Sequence, residues 1–342
     1  MSDASSQGTL YKQIDTCPDG DLDVVVREYE RHNEYPIQGV TFKTQRKVVI
    51  SSSEDNVKAV EIWLRCFHET LQESLGSETI SVAEIWHIIM AGDKYGFELP
   101  RLYDWLVAWF AKNTPDAPKS LTFNFAPSML FPCYAFNYAE GFQIVTRRLA
   151  YHGVKFVHEV NPTSIYQMHM PQRIIQQINA AKGRLRNIFL RELNKGMLHL
   201  LDAARCNCKE MTFYNFHKEL RRIKVYPPEE HMASSSIDGL LQRLKSFDSS
   251  RMTQSKDKAS LCQFCAKDWK ETVCDVIPTV GKYFDGQCLD CLENSKNTDQ
   301  EYWSLHLDSG RYDEECRITH GEPAHYFSFM GRREKRGLIA DA

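Results

Sequence analysis

The sequence predicts an α+β protein, mainly helical, with a small α/β domain at its N-terminal end, a helical middle and a cysteine-rich C-terminal region. Three observations carry that expectation. Apolar spacing switches from strand-like to helical after Ser51-Ser52-Ser53, charge is segregated along the chain, and eight of the 11 cysteines fall between residues 206 and 316. The 342 residues suffice for two or three domains with sizeable cores. A hydrophobic share of 42% with 25% charged residues excludes a largely disordered chain. No run approaches the ~18 consecutive apolar residues of a membrane span. The start, MSDASSQGTLYKQ, lacks the basic region and apolar core of a secretory signal.

Residues 1–117 carry 11 basic and 19 acidic side chains, residues 118–205 carry 11 and 4, and residues 206–342 carry 20 and 22. With the linker signal Pro115-Asp116-Ala117-Pro118, this divides the chain into a flexible tail (1–18), an acidic domain (19–113), a basic helical region (118–205) and the cysteine-rich region (206–336).

In the acidic domain, Asp21 to Arg27 reads as a strand after the Pro18-Asp19-Gly20 turn, and Val40–Lys43 and Lys47–Ile50 as two more. Val60, Trp63, Leu64, Phe67 and Leu71 then fall on one stripe of an amphipathic helix, with Glu54 and Asp55 where its first turn favours negative charge. Ser81-Val82-Ala83-Glu84 is a capping box opening a second helix, whose apolar face is Ile85, Ile88, Ile89 and Tyr95. A third begins near Pro100 and carries Leu102, Trp105, Leu106, Trp109 and Phe110, read as core.

The segments Gly20–Val26, Glu54–Glu61 and Ala91-Gly92-Asp93-Lys94-Tyr95-Gly96 resemble a BTB/POZ domain of the divergent fungal branch. The resemblance implies a small sheet flanked by helices that mediates protein–protein contacts rather than catalysis. Only 27 residues separate Val26 from Glu54, too few for the full strand–helix–helix run of that family. The helix that usually builds the homodimer is therefore expected to be shortened or missing.

In the basic middle, the aromatic run from Phe123 to Phe142 beside Arg147 and Arg148 has two readings, base stacking on nucleic acid or a helical core with solvated arginines. The second is adopted, because no glycine-rich or aromatic-platform motif accompanies the run. Pro171 opens a long helix, with Ile174, Ile178, Ala181, Leu185 and Ile188 on one face and Phe189, Leu193, Met197 and Leu200 continuing it. Lys182, Arg184, Arg186, Arg191, Lys195 and Arg205 read as a solvated face able to dock the acidic domain or a partner. Gly183 and Gly196 weaken the helix unless they mark close packing.

The sharpest chemistry lies in the last region. Four ligand-type pairs follow one another: Cys206/Cys208, Cys262/Cys265, Cys288/Cys291 and Cys316/His320. A short-spaced pair presents two thiolates on one turn and supplies half of a tetrahedral Zn²⁺ shell, so eight ligands make two structural zinc sites. Disulfides fit poorly with an odd cysteine count and no secretory signal, and a thioredoxin-type CxxC lacks its βαβ context. Spacing does not reveal the pairing. The sequential choice joins Cys262/Cys265 to Cys288/Cys291 and leaves Cys206/Cys208 with Cys316/His320, and a cross-braced arrangement stays open. Cys274 reads as a packed thiol, while His217, His231, His306 and His325 compete with His320 as ligands. One short helix, Ile237 to Phe247, is expected among the polar loops of 233–258.

Tyr283 to Cys291, Tyr302-Trp303, Cys316 to Gly321 and Tyr326 to Glu334 resemble segments found downstream of the BTB domain in fungal proteins. What the resemblance implies is an interaction or scaffold protein, not an enzyme. Its partners would be other proteins, including a cullin or another BTB protein, with a ubiquitin-ligase adaptor role permitted. The alternative is a zinc-containing transcriptional regulator associated with nucleic acid, which the near balance of charge over 206–342 argues against. The interrupted basic run Arg332-Arg333-Glu334-Lys335-Arg336 reads as a solvated terminus. An intracellular location, cytoplasm or nucleus, follows from the thiol-rich composition and the absence of a leader or span, and no membrane partner is expected.

Overall fold

A computed structural model describes residues 56–71, 80–114, 125–163, 168–252, 262–294 and 316–320, together with the backbone of four strands within residues 11–51. The described elements are mainly helical. The strands β1 (Tyr11–Asp15), β2 (Leu22–Tyr29), β3 (Pro36–Thr44) and β4 (Val48–Ser51) pair in the order β1-β3-β2-β4. β2 and β3 run antiparallel with Val26 opposite Val40, β4 lies parallel to β2, and β1 lies parallel to β3 with Ile14 opposite Phe42. The reading of residues 1–18 as a tail is corrected for residues 11–15. Five residues are too few to display a period, and it is pairing with β3 that makes them a strand.

Described residues up to Tyr138, with those of 160–169, form one compact unit, and the rest form a second. In the first, α1 (Val57–Phe67) is capped by Asn56, whose side chain accepts from the Ala59 N–H at 3.0 Å. It buries Trp63, whose Nε1 donates to the Ile88 carbonyl at 2.9 Å, and Glu61, which Lys58 and Arg65 neutralise at 3.0 and 2.7 Å. α2 (Val82–Tyr95) opens with the Ser81/Glu84 capping box and ends on Gly96 at φ 70°, the left-handed turn that glycine adopts freely. A 3₁₀ turn (Leu99–Leu102) leads into α3 (Tyr103–Asn113), followed by α4 (Phe125–Ala135). Trp86 and Trp109 are buried with Nε1 donating to the Ser128 and Ile80 carbonyls, which removes the cost of burying an indole N–H.

The second unit is built on two helices, α5 (Ala139–His152) and α6 (Gln172–Ala203). The apolar stripe of α6, from Ile174 through Leu185 to Leu200, is buried. Around it lie α7 (Lys209–Arg222), α8 (Pro228–Ser234), α9 (Ile237–Leu244), a 3₁₀ turn (Ser249–Met252), α10 (Trp269–Cys274), α11 (Val276–Gly281) and α12 (Leu289–Asn294). The division at 118–205 and 206–336 is therefore redrawn. α6 packs against α5, α7, α9 and α11, so the basic helix and the cysteine-rich region share one core. Charge counts report surfaces, whereas the apolar faces decide what packs together.

One basic side chain departs from the solvated face assigned to it. Lys182 is buried, with its Nζ donating to the Lys155 carbonyl, and Arg186 Nη2 donates to the Val154 carbonyl at 3.1 Å. The two cations cap the chain just beyond the C-terminal end of α5, where carbonyls lack helical partners. Burial, reinforced by the charge of Arg186, lowers the Lys182 pKa to about 8. Among the described residues, no helix is long and apolar enough to cross a membrane.

Candidate metal centres

The eight sequence-predicted ligands come together in two groups, and their pairing differs from the sequential choice. Cys206, Cys208, Cys262 and Cys265 form one group, and Cys288, Cys291, Cys316 and His320 the other. Within each, the ligand atoms all lie within 4.8 Å of one another. Spacing cannot show this, because helices intervene between the pairs and their packing sets which turns meet.

The first group is assembled where α6 gives way to α7. Cys206-Asn207-Cys208 makes the turn, with the Thr212 N–H returning to the Cys208 carbonyl at 3.0 Å as α7 begins. Cys262-Gln263-Phe264-Cys265 is a second tight turn, closed by the Cys265 and Ala266 N–H groups donating to the Cys262 carbonyl at 3.0 and 2.9 Å. Trp269, fully buried, anchors that turn by donating from Nε1 to the Cys265 carbonyl at 3.2 Å. The Cys206 sulfur stands 3.2 Å from that of Cys262 and 3.6 Å from that of Cys265. Cys265 is buried and the other three are half-buried.

The second group is more enclosed, with only Cys316 half-buried. Ala139 and Ile318 pack against its cysteines. The Cys291 sulfur is 3.6 Å from both the Cys316 sulfur and His320 Nε2. Its two sequence segments are also joined by a clasp. Asp290, inside the CxxC, accepts from the Arg317 backbone N–H at 2.9 Å and from its guanidinium at 2.9 and 2.7 Å. A third tie runs from Gln143 Nε2 on α5 to the Thr319 carbonyl at 3.2 Å.

The turn before Cys288 is set by α5. Gly286 adopts φ 106°, and a Cβ there would stand 2.2 Å from the Gln143 carbonyl oxygen, so only glycine fits. The buried Gln287 N–H then donates to Thr146 Oγ1 at 2.8 Å, and its side-chain amide to the Ile174 carbonyl on α6. Neither this seat nor the Asp290–Arg317 clasp was anticipated. The one available signal was the Asp285-Gly286-Gln287 stretch before the CxxC.

Both groups have the dimensions of a metal shell. Tetrahedral zinc with Zn–S near 2.3 Å sets sulfur–sulfur edges of about 3.8 Å, against 3.2 to 3.6 Å for the sulfur separations given above. Disulfides need sulfurs at about 2.05 Å, so these are clustered thiols. Their proton affinities show the strain of gathering acids in one place. Hydrogen bonding to Cys291, with His320 assisting against burial, lowers the Cys288 pKa to about 4, while burial raises Cys316 to about 12 and hydrogen bonding to Cys288 pushes Cys291 up. In the first group hydrogen bonding with Cys206 lowers the Cys262 pKa to about 7, and burial raises Cys265. One thiolate forms easily in each group and further ones are opposed, a conflict that a bound cation resolves.

Cys274 belongs to neither group. His217 shares a hydrogen-bonding contact with the Phe213 carbonyl at 2.9 Å and packs on Phe213 and Tyr226, and neither it nor His231 joins a group. His306, His325, Tyr302-Trp303, the segment from Tyr326 to Glu334 and the 332–336 basic run lie outside the described residues. The structure thus presents one Cys₄ and one Cys₃His group able to hold metal ions. Comparison with known proteins adds no relative: no family model matches the chain, and neither a curated protein nor a solved structure matches it.

Proposed function

We propose that the chain is a non-enzymatic intracellular interaction scaffold, with a shortened BTB-like N-terminal domain and a C-terminal unit held by two structural zinc ions. The observation that carries the zinc assignment is the donor set. Seven cysteines and one histidine in two four-membered groups are the composition of closed structural sites, whereas catalytic zinc keeps three protein ligands and an open position. Cys206, Cys208, Cys262 and Cys265 would hold one ion, and Cys288, Cys291, Cys316 and His320 the other. The ions would act as cross-links that neutralise the gathered thiolates. A reducing compartment keeps such thiols available.

Support for the BTB-like reading is the small sheet followed by α1 to α3, with strands and no helix among the described residues between Val26 and Glu54. An α+β domain lacking its usual dimerisation helix would offer its remaining faces to protein partners.

Metal analysis of protein purified without chelator tests the zinc assignment, with two equivalents of zinc per chain expected. Fewer than one rejects it. A pull-down against a cullin tests the adaptor version, which falls if no enrichment over a control is found.

A further inference from the structure

We infer that the Cys206/Cys208/Cys262/Cys265 site is a peroxide-responsive switch, opened by oxidation of Cys206 and Cys262 to a disulfide, while the Cys288/Cys291/Cys316/His320 site keeps its ion. This rests on the zinc assignment above and adds to it a division of labour between the two sites.

Three differences between the groups carry it. The first is access: three of four residues in the Cys₄ group are half-buried, against one of four in the Cys₃His group. An oxidant reaches a thiolate only where solvent does. The second is geometry. Cys206 and Cys262 have their sulfurs 3.2 Å apart, on turns that belong to sequence-distant segments. Closing that gap, or the ~3.8 Å edge of a loaded site, to the ~2.05 Å of a disulfide takes about 1–2 Å of movement. The third is reinforcement. The segments of the Cys₃His group are fastened independently of metal by Asp290 and Arg317 and by Gln143. No such ion pair joins the 206–208 and 262–265 turns among the described residues, where the metal-independent ties are ring contacts, Phe264 on His199 and Trp269 on Phe216.

The chemistry balances with hydroperoxide as oxidant. One thiolate of the pair attacks a peroxide oxygen, so an S–O bond forms as the O–O bond breaks, and the departing oxygen leaves as water after taking up a proton. The second thiolate attacks the sulfenic sulfur, so the S–S bond forms as the S–O bond breaks, and the second oxygen leaves as hydroxide that takes up a proton from solvent to become water. Two electrons pass from the sulfurs to the peroxide. The ion is left with Cys208 and Cys265 alone and is released.

The experiment uses the full-length chain loaded with two equivalents of zinc and treated with excess hydrogen peroxide. Released zinc is followed with a chromogenic chelator, and the quenched sample is alkylated, digested with trypsin and mapped by mass spectrometry. The expected result is rapid release of one equivalent, a disulfide joining the peptides 206–209 and 259–267 through Cys206 and Cys262, and reduced, alkylatable Cys288, Cys291 and Cys316. Release of both ions at one rate, release of neither, or a linkage through any other pair overturns the switch and leaves the zinc assignment standing. A chain that binds no zinc before treatment overturns both.

Discussion

Replacing Gly286 with alanine tests how the second metal group is seated. The backbone there has φ 106°, and a Cβ would meet the Gln143 carbonyl oxygen at 2.2 Å, Gln143 Cγ at 2.8 Å and the Gln143 carbonyl carbon at 2.9 Å. Two of those atoms are helical backbone in α5 and cannot swing aside, so the turn itself must move. The left-handed backbone costs a non-glycine residue about 1–3 kcal/mol. Moving the turn also breaks the buried 2.8 Å bond from the Gln287 N–H to Thr146 Oγ1, for a further ~1–3 kcal/mol. Gly286→Ala should therefore lose about 4 kcal/mol of stability in the unit that contains α5 and α6. Urea unfolding of the zinc-loaded chain, with hydrogen exchange to localise the loss to peptides around 280–294, measures it. Because Cys288 lies two residues on, chelator competition should remove the second ion more readily than in the parent. A variant within about 0.5 kcal/mol of the parent, with unchanged exchange, would refute the argument.

Three further outcomes follow from the same unit. Two glycines of α6 should respond with opposite signs in denaturant titrations. Gly183→Ala meets nothing within 4 Å and should stabilise by about 0.5–1 kcal/mol, whereas the Cβ of Gly196→Ala would sit 2.7 Å from Thr272 Cγ2 and should destabilise by about 1–3 kcal/mol. Lys182 has a folded pKa of about 8, below that of an exposed lysine, so between there and the ordinary lysine range the unfolded chain binds more protons and stability rises with pH. Lys182→Met should flatten that rise, measured as the difference between parent and variant unfolding at pH 7.5, 8.5 and 9.5. The ligand grouping is read by zinc stoichiometry: Cys206→Ser and Cys262→Ser should each leave one equivalent, and the double variant should also leave one, because both residues serve the same ion. Loss of both ions in the double variant would place Cys206 and Cys262 on different ions, as the sequential or a cross-braced pairing requires.

The candidate ligands were legible because two Cys, or a Cys and a His, two to four residues apart are a local signal, complete within about one turn of chain. Their partners were not, because Cys208 and Cys262 are brought together by α6, α7 and α10, none of which leaves a trace in spacing. The capping box at Ser81 and the apolar stripe of α6 were equally local and equally readable. Lys182 shows the opposite case. Its immediate neighbours in sequence, Ala181 and Gly183, say nothing of its burial, and what buries it is the chain beyond α5, some 27 residues earlier. Glycine ambiguity has the same origin: Gly183 and Gly196 look alike along the helix, and only the arrival of Thr272 separates them.

The two ligand sets do not interleave along the chain. One is complete by Cys265, before the first ligand of the other at Cys288. During synthesis, the first ion can therefore be captured and its loop of 53 intervening residues closed while the second set is still unmade. A cross-braced arrangement would have left unpaired thiolates waiting for Cys316 and His320, exposed to the wrong metal or the wrong partner. Here each set, if it takes an ion, would load in turn, and an error at the later one would leave the earlier intact.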